Sequence, residues 1–230
     1  MRLDKFISNL WYGSRKHIAN FIKDGYILVN NEIIYDKDFN INFWDIITIW
    51  NENINYKEFI YIILHKPSGY VSSPKDEWWH KSYLHLIKDC PYSDIINIVW
   101  RLDVDTEWLL LLTNDWSLIH KIISPKKDIY KKYFVRTEKN LTQKDIEKLK
   151  SWVKIDDFIT KPALVEYIND NEIFLSISEW KFHQIKKMLE TIWNKVIYLK
   201  RFNIWKLELQ NLEIWKWRYL NDTEINNLLN

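Results

Sequence analysis

Residues 100–116 read WRLDVDTEWLLLLTNDW, with Arg101 and Asp103 just before an apolar run, Leu109–Leu112, and Asn114 and Asp115 just after it. An apolar run fenced by charged and turn-forming residues reads as a strand buried on both faces, with polar loops at its two mouths. A carboxylate at such a mouth is held rigidly and still faces a cleft, as a nucleophile or an acid–base group must. Asp103 is the first candidate for chemistry, although such an aspartate on its own is more often a turn residue capping a loop. Asp105 and Asp115, in the same stretch, read as loop residues. Two other segments concentrate reactive types: Lys66-Pro67-Ser68-Gly69-Tyr70, and Glu179-Trp180-Lys181-Phe182-His183-Gln184-Ile185-Lys186-Lys187-Met188.

The elements that must position these residues follow from periodicity. Leu3, Phe6, Ile7 and Leu10 stand at helical spacing, and Ser14 caps a second helix whose stripe is Ile18, Phe21 and Ile22. That helix presents Arg15, Lys16, Asn20 and Lys23 outward. Tyr26–Val29 and Ile33–Ile34 form a hairpin about Asn30-Asn31, and Ile46–Ile49 adds a strand, closing a small module near residue 54. Asn51–Lys57 reads as a linker. Beyond it the pattern predicts strands at Phe59–Leu64, Tyr130–Val135, Ala163–Ile168, Glu172–Ile177, Lys195–Leu199 and Lys206–Leu209. Helices are predicted at Ser117–Ile123, from the capping box at Thr142, at Lys181–Glu190 and at Asp222–Leu229, with a helical turn around Ser82–Ile87. Many strands with irregularly spaced helices make the fold class α+β, with domains at 1–54 and 58–230.

Bulk properties narrow the classes. Lys+Arg 33 against Asp+Glu 31 give +2, which neither demands nor excludes nucleic acid. The charge is uneven, however: Arg2, Lys5, Arg15, Lys16 and Lys23 crowd the first 25 residues, facing only Asp4 and Asp24. Basic residues gathered on one helix favour nucleic-acid contact over a merely solvated face. The single Cys90 excludes an internal disulfide and suits a reducing, cytoplasmic setting. No apolar leader opens the chain and no run of about 18 apolar residues spans a membrane. The scattered histidines give no metal-ligand spacing.

With the three segments in order, the chain resembles the bacterial ribosomal pseudouridine synthases of the RsuA type. The family signatures KPxGY, GRLDxDTxGLLLLTNDG, KxYxV and EGxxHQVKRM match residues 66–70, 100–116, 131–135 and 179–188. The resemblance implies an N-terminal RNA-binding module of the ribosomal-protein S-four kind and a catalytic domain with a mostly antiparallel mixed sheet flanked by helices. It also implies isomerisation of a specific uridine to pseudouridine in small-subunit ribosomal RNA, without metal or organic cofactor. A large-subunit target, or an idle RNA-binding assembly factor, are the competing readings. By resemblance Asp103 is the catalytic carboxylate, Lys186 pairs with it and keeps it charged, and Tyr133 stacks on the base or assists proton removal at C5. Arg101, Lys66, His183 and Gln184 fall at the substrate, Lys66 as a structural or RNA-facing residue near the pocket. Arg2, Arg15, Lys16 and Lys23 grip RNA. The implied partner is ribosomal RNA or an assembling ribosomal subunit, with the chain a monomer and no membrane involved.

The departures from the family pattern share one character. The chain has Trp 14 and Gly 3 in 230 residues, where average usage gives roughly 16 glycines. Trp100, Trp108, Trp116, Trp152, Trp180, Trp193, Trp205 and Trp215 stand where the family shows glycine, and Trp11 likewise; Trp44, Trp50, Trp78 and Trp79 match more loosely. Only Trp217 sits where an aromatic residue is expected. A UGA codon translated as tryptophan, in a lineage where it encodes glycine, accounts for the pattern. The alternative is that the indoles are real and serve as core or as RNA-stacking platforms.

Overall fold

The structure, a computed structural model, describes residues 1–10, 12–42, 45–55, 59–124 and 128–229. Trp11, Trp44, the last two residues of the predicted linker and Glu58, the first of the predicted second domain, lie outside the described residues. The chain divides into two compact units, residues 1–60 with 88–96, and residues 61–87 with 97–230.

In the first unit α1 (Leu3–Asn9) and α2 (Arg15–Lys23) accompany a four-stranded sheet of β1 (Ile27–Val29), β2 (Glu32–Ile33), β3 (Ile46–Ile49) and β4 (Glu52–Asn55), ordered β2-β1-β3-β4. The Ser14 side chain accepts from the His17 N–H at the start of α2, and Gly25 follows its end at φ +77°, a conformation open to glycine. Asn30 and Asn31, both at positive φ, turn β1 into β2. The stretch predicted as a linker contains β4, which pairs with β3 from Ile46↔Asn55 to Ile49↔Glu52. Polar side chains hide such an edge strand from any pattern based on burial.

The second unit is built on a nine-stranded mixed sheet. Its strands are β5 (Tyr61–Lys66), β6 (Asn97–Ile98), β7 (Glu107–Thr113), β8 (Lys131–Thr137), β11 (Leu164–Asn169), β12 (Glu172–Ile177), β13 (Val196–Ile204), β14 (Leu207–Glu208) and β15 (Trp217–Tyr219). β9 (Lys154–Ile155) and β10 (Phe158–Ile159) form a separate ribbon. The main path runs β11-β12-β8-β13-β7-β5-β15, antiparallel except between β13 and β7. Leu109–Leu112 occupy β7 in its middle, each 0 % exposed. Leu118, Ile119 and Ile122 of α3 (Trp116–Ile123) and Leu228 of α6 (Asp222–Leu229) share a core with Tyr61, Ile63, Leu109 and Leu111. Ile146 and Leu149 of α4 (Gln143–Leu149) and Ile185, Met188 and Leu189 of α5 (Gln184–Glu190) share a second with Val135, Ile173, Leu175 and Leu199. The capping box of Thr142 and Asp145 opens α4 as its spacing predicts. The predicted helix at Lys181 begins instead at Gln184, because His183 takes a left-handed φ of 54°. No helix among the described residues is long and apolar enough to cross a membrane.

Among the described residues six tryptophans, Trp50, Trp78, Trp108, Trp193, Trp205 and Trp215, hold positive φ, from 48° to 95°. A bulky side chain in that region is a steric outlier. Trp108, Trp193, Trp205 and Trp215 are positions where the family shows glycine, Trp50 and Trp78 are among the looser matches, and Trp217, the one expected aromatic, lies in ordinary β15.

Candidate active site

The site is assembled from loops pinned by buried lysines. Lys66 ends β5 with its side chain turned inward, 0 % exposed, its ammonium donating to the carbonyls of Pro67 and Thr106 at 2.9 Å and of Val104 at 3.4 Å. The Gly69 N–H, on a residue at φ +91°, donates to Val104 O at 2.8 Å, and the Leu102 N–H to Ser72 Oγ at 3.0 Å. These bonds hold the loop that carries Asp103. Of the two roles expected for Lys66 near the pocket, structural or RNA-facing, its bonds fit the structural one: its ammonium is directed at backbone oxygens away from solvent. Burial pushes its ammonium down to about 8.

Lys131, at the start of β8, anchors the other wall. Its ammonium donates to the carbonyls of Ser178 and Glu179, both at 2.7 Å, and burial pushes it down to about 7. Gln184 binds the same loop, donating to Glu179 Oε2 at 2.8 Å and accepting from the Lys181 N–H at 3.2 Å. It is 3 % exposed, so its carboxamide shapes the wall rather than reaching out of it.

Between these walls lies a cleft of about 700 Å³ whose lining includes Arg101, Asp103, Tyr133, His183, Gln184 and Lys186. Six of the seven catalytic and substrate residues named from sequence thus meet in one cavity, and Lys66 stands behind it. Lys186 Nζ lies 3.3 Å from Asp103 Oδ2 and donates to both Asp105 oxygens, at 2.7 and 2.8 Å. Asp105, read as a mere loop residue, is thus the nearer carboxylate of this cation. His183 Nε2 is 3.7 Å from Asp103 Oδ2, beyond hydrogen-bond distance. Arg101 is exposed and pairs with Glu77 at 3.4 Å. The Thr106 hydroxyl is buried at the cleft wall without a hydrogen-bond partner among the described residues.

Arg201 is the participant that sequence reasoning missed. It is 1 % exposed beneath the cleft, donating to Leu109 O at 2.9 and 2.7 Å and to Trp100 O at 3.2 Å. Burial raises the Tyr133 phenol above its ordinary pKa, and the Arg201 charge opposes that rise. An arginine amid the apolar residues of β13 was the available signal.

In the first unit Arg2 donates to Asp4 at 3.0 and 2.8 Å and pairs with Asp38, while Arg15 contacts Asp4 at 3.2 Å. Lys16 and Lys23 are exposed on α2. Among the described residues no group of three His, Cys, Asp or Glu side chains gathers as metal ligands.

Known proteins share this architecture. The sequence profile described as RNA pseudouridylate synthase matches residues 60–210, and that of the S4 domain matches residues 1–47. YtzG of Bacillus subtilis, described as an uncharacterized RNA pseudouridine synthase, is 35 % identical over 100 % of this chain and 98 % of its own. The ribosomal small subunit pseudouridine synthase A of Vibrio vulnificus is 33 % identical over 99 % of both chains. The ribosomal large subunit pseudouridine synthase B of Bacillus subtilis is 29 % identical over 99 % and 95 %. A crystal structure of a pseudouridylate synthase superposes with a TM-score of 0.70 at 31 % identity, covering 99 % of each chain. With its catalytic core matched by that profile and relatives aligned from end to end, the chain belongs to the RNA pseudouridylate synthase family of isomerases.

Proposed function

We propose that this protein isomerises a uridine of small-subunit ribosomal RNA to pseudouridine, with Asp103 as the reacting carboxylate. The observation that carries the reading is the placement of Asp103 in a cleft wall, 3.3 Å from the Lys186 ammonium, with Tyr133 in the same lining. In the reaction the C1′–N1 bond breaks, the uracil turns, and a C1′–C5 bond forms. C5 then loses its proton and N1 gains one, so atoms and charge balance without an oxidant.

Asp103 attacks or steadies the separated fragments, and the Lys186 charge favours the ionised carboxylate this requires. Tyr133 offers a flat ring to the uracil and a hydroxyl, under the influence of the Arg201 charge, for the proton at C5. A cleft of about 700 Å³ admits a base swung out of its stack. The N-terminal module (residues 1–54) supplies the grip on RNA through Lys16, Lys23, Arg2 and Arg15, and residues 58–230 the chemistry. The small-subunit target is favoured because the relative named for that subunit is more similar than the one named for the large subunit.

The test is to map pseudouridines in unmodified small- and large-subunit transcripts after incubation with the protein and with Asp103→Asn. A new pseudouridine in the small-subunit transcript, absent with Asp103→Asn, supports the proposal. Modification of the large-subunit transcript alone overturns the target, and an active Asp103→Asn overturns the catalyst.

A further inference from the structure

Phe182 lines the cleft and is 73 % exposed. Its ring lies against the imidazole of His183, centroids 3.8 Å apart and planes 20° from parallel. The same imidazole has its Nε2 3.7 Å from Asp103 Oδ2. Phe182 is thus linked through one stacked ring to the neighbourhood of the carboxylate. The left-handed φ of 54° at His183 keeps Lys181 and Phe182 out of α5 and turns this pair to the mouth of the cleft. Lys187 Nζ stands 5.5 Å from the Phe182 centroid, and Lys181 and Arg101 belong to the same lining.

A flat aromatic face in water, with a cation beside it and others in the lining of the pocket it borders, fits an unpaired nucleobase on a phosphate backbone. When a uridine leaves its stack to enter the cleft, its neighbour loses a stacking partner. We propose that Phe182 is the stacking platform for the unpaired base adjacent to the target uridine, so that the substrate is a strand unpaired at two successive nucleotides. This rests on the uridine-isomerising reading of the cleft. Trp180, 64 % exposed beside it, carries no part of the proposal, since its position is one where glycine was expected.

The experiment compares the full chain with Phe182→Leu and Phe182→Tyr. Tritium release from rRNA transcripts carrying 5-tritiated uridine gives KM and kcat. Gel shift with a short single-stranded uridine-containing oligoribonucleotide gives binding without chemistry. Phe182→Leu is expected to raise KM and weaken oligonucleotide binding roughly tenfold to a hundredfold, with kcat within about threefold and Phe182→Tyr near the original protein. Unchanged KM and binding in Phe182→Leu, or Phe182→Tyr failing as badly as Phe182→Leu, overturns the platform, and so does a lowered melting temperature in Phe182→Leu. No tritium release by the unsubstituted chain, with Phe182→Leu still weakening the gel shift, overturns the isomerase reading and leaves the platform standing.

Discussion

The Lys186 ammonium stands 3.3 Å from the carboxylate of Asp103, while its shorter bonds, 2.7 and 2.8 Å, run to Asp105. One cation from α5 therefore serves two carboxylates of the loop before β7. The Asp105 side chain is 61 % exposed and that of Asp103 26 %. Water screens the outer pair more than the inner one, so the shorter contact is not the more consequential one for a reaction at Asp103.

Substitutions separate the two roles. Lys186→Met is expected to lower kcat roughly a hundredfold to a thousandfold, the usual loss when one charge aimed at the reacting centre is removed. Lys186→Arg should recover part of that loss. Asp105→Asn frees Lys186 for Asp103 and should leave kcat within about threefold, far from the hundredfold or greater loss expected of a reacting group. Steady-state tritium release on rRNA transcripts checks all three, and a collapse in Asp105→Asn comparable to that of Lys186→Met would reverse the assignment.

The anchor at Lys131 predicts a pH dependence of stability. Its ammonium is pushed down to about 7 by burial, against about 10.4 in an unfolded chain. Between those values the unfolded chain holds a proton that the folded one has shed, so stability from this group rises with pH across the window. A neutral amine keeps two N–H donors, enough for the carbonyls of Ser178 and Glu179. From pH 7 to 9.5 the unfolding free energy should therefore gain on the order of 2 kcal/mol more in the unsubstituted protein than in Lys131→Met. Urea denaturation at the two pH values measures it, and equal slopes would remove the cause.

How much of this was legible from sequence differs by element. The run Leu109–Leu112 announced β7 because four adjacent leucines fit a strand buried on both faces, and all four are 0 % exposed. The start of α5 was misread because only the backbone reveals that His183 is left-handed. Arg201 escaped notice because its burial depends on β13 lying parallel to β7, with Arg201 opposite Trp108, a register set by distant chain. The hairpin from β3 to β4 was hidden for another reason. Its turn, Trp50-Asn51, has both residues at positive φ, and a glycine in place of the indole would have given a familiar turn signal.

The basic face of the first unit divides into paired and free charges. Arg2 and Arg15 share Asp4, whereas no ion pair is recorded for Lys16 and Lys23 among the described residues. Lys16→Gln and Lys23→Gln should each weaken rRNA binding and reduce the slope of log affinity against log salt by about one. Arg15→Gln should reduce it less, because Asp4 already neutralises part of its charge. Filter binding at several salt concentrations checks the order, and equal slopes for all three substitutions would show that the Asp4 pairing is broken on binding.

The tryptophans give the sharpest test. Positive φ at Trp108, Trp193, Trp205 and Trp215 costs on the order of 1–3 kcal/mol for each non-glycine residue. Trp100 adds a buried indole N–H without a hydrogen-bond partner among the described residues, and Trp193 is 86 % exposed, so little packing offsets its strain. Glycine relieves both conditions, since it enters the left-handed region freely and has no donor to bury. Peptide sequencing of the protein from its native cells is expected to return glycine at 100, 108, 193, 205 and 215 and tryptophan at 217. In the recombinant chain, Trp193→Gly should raise the melting temperature, because the strain at φ 58° is relieved and little packing is lost. Tryptophan at positions 108 and 193 in the native peptides would refute the codon reading and leave six strained indoles as genuine features of the enzyme.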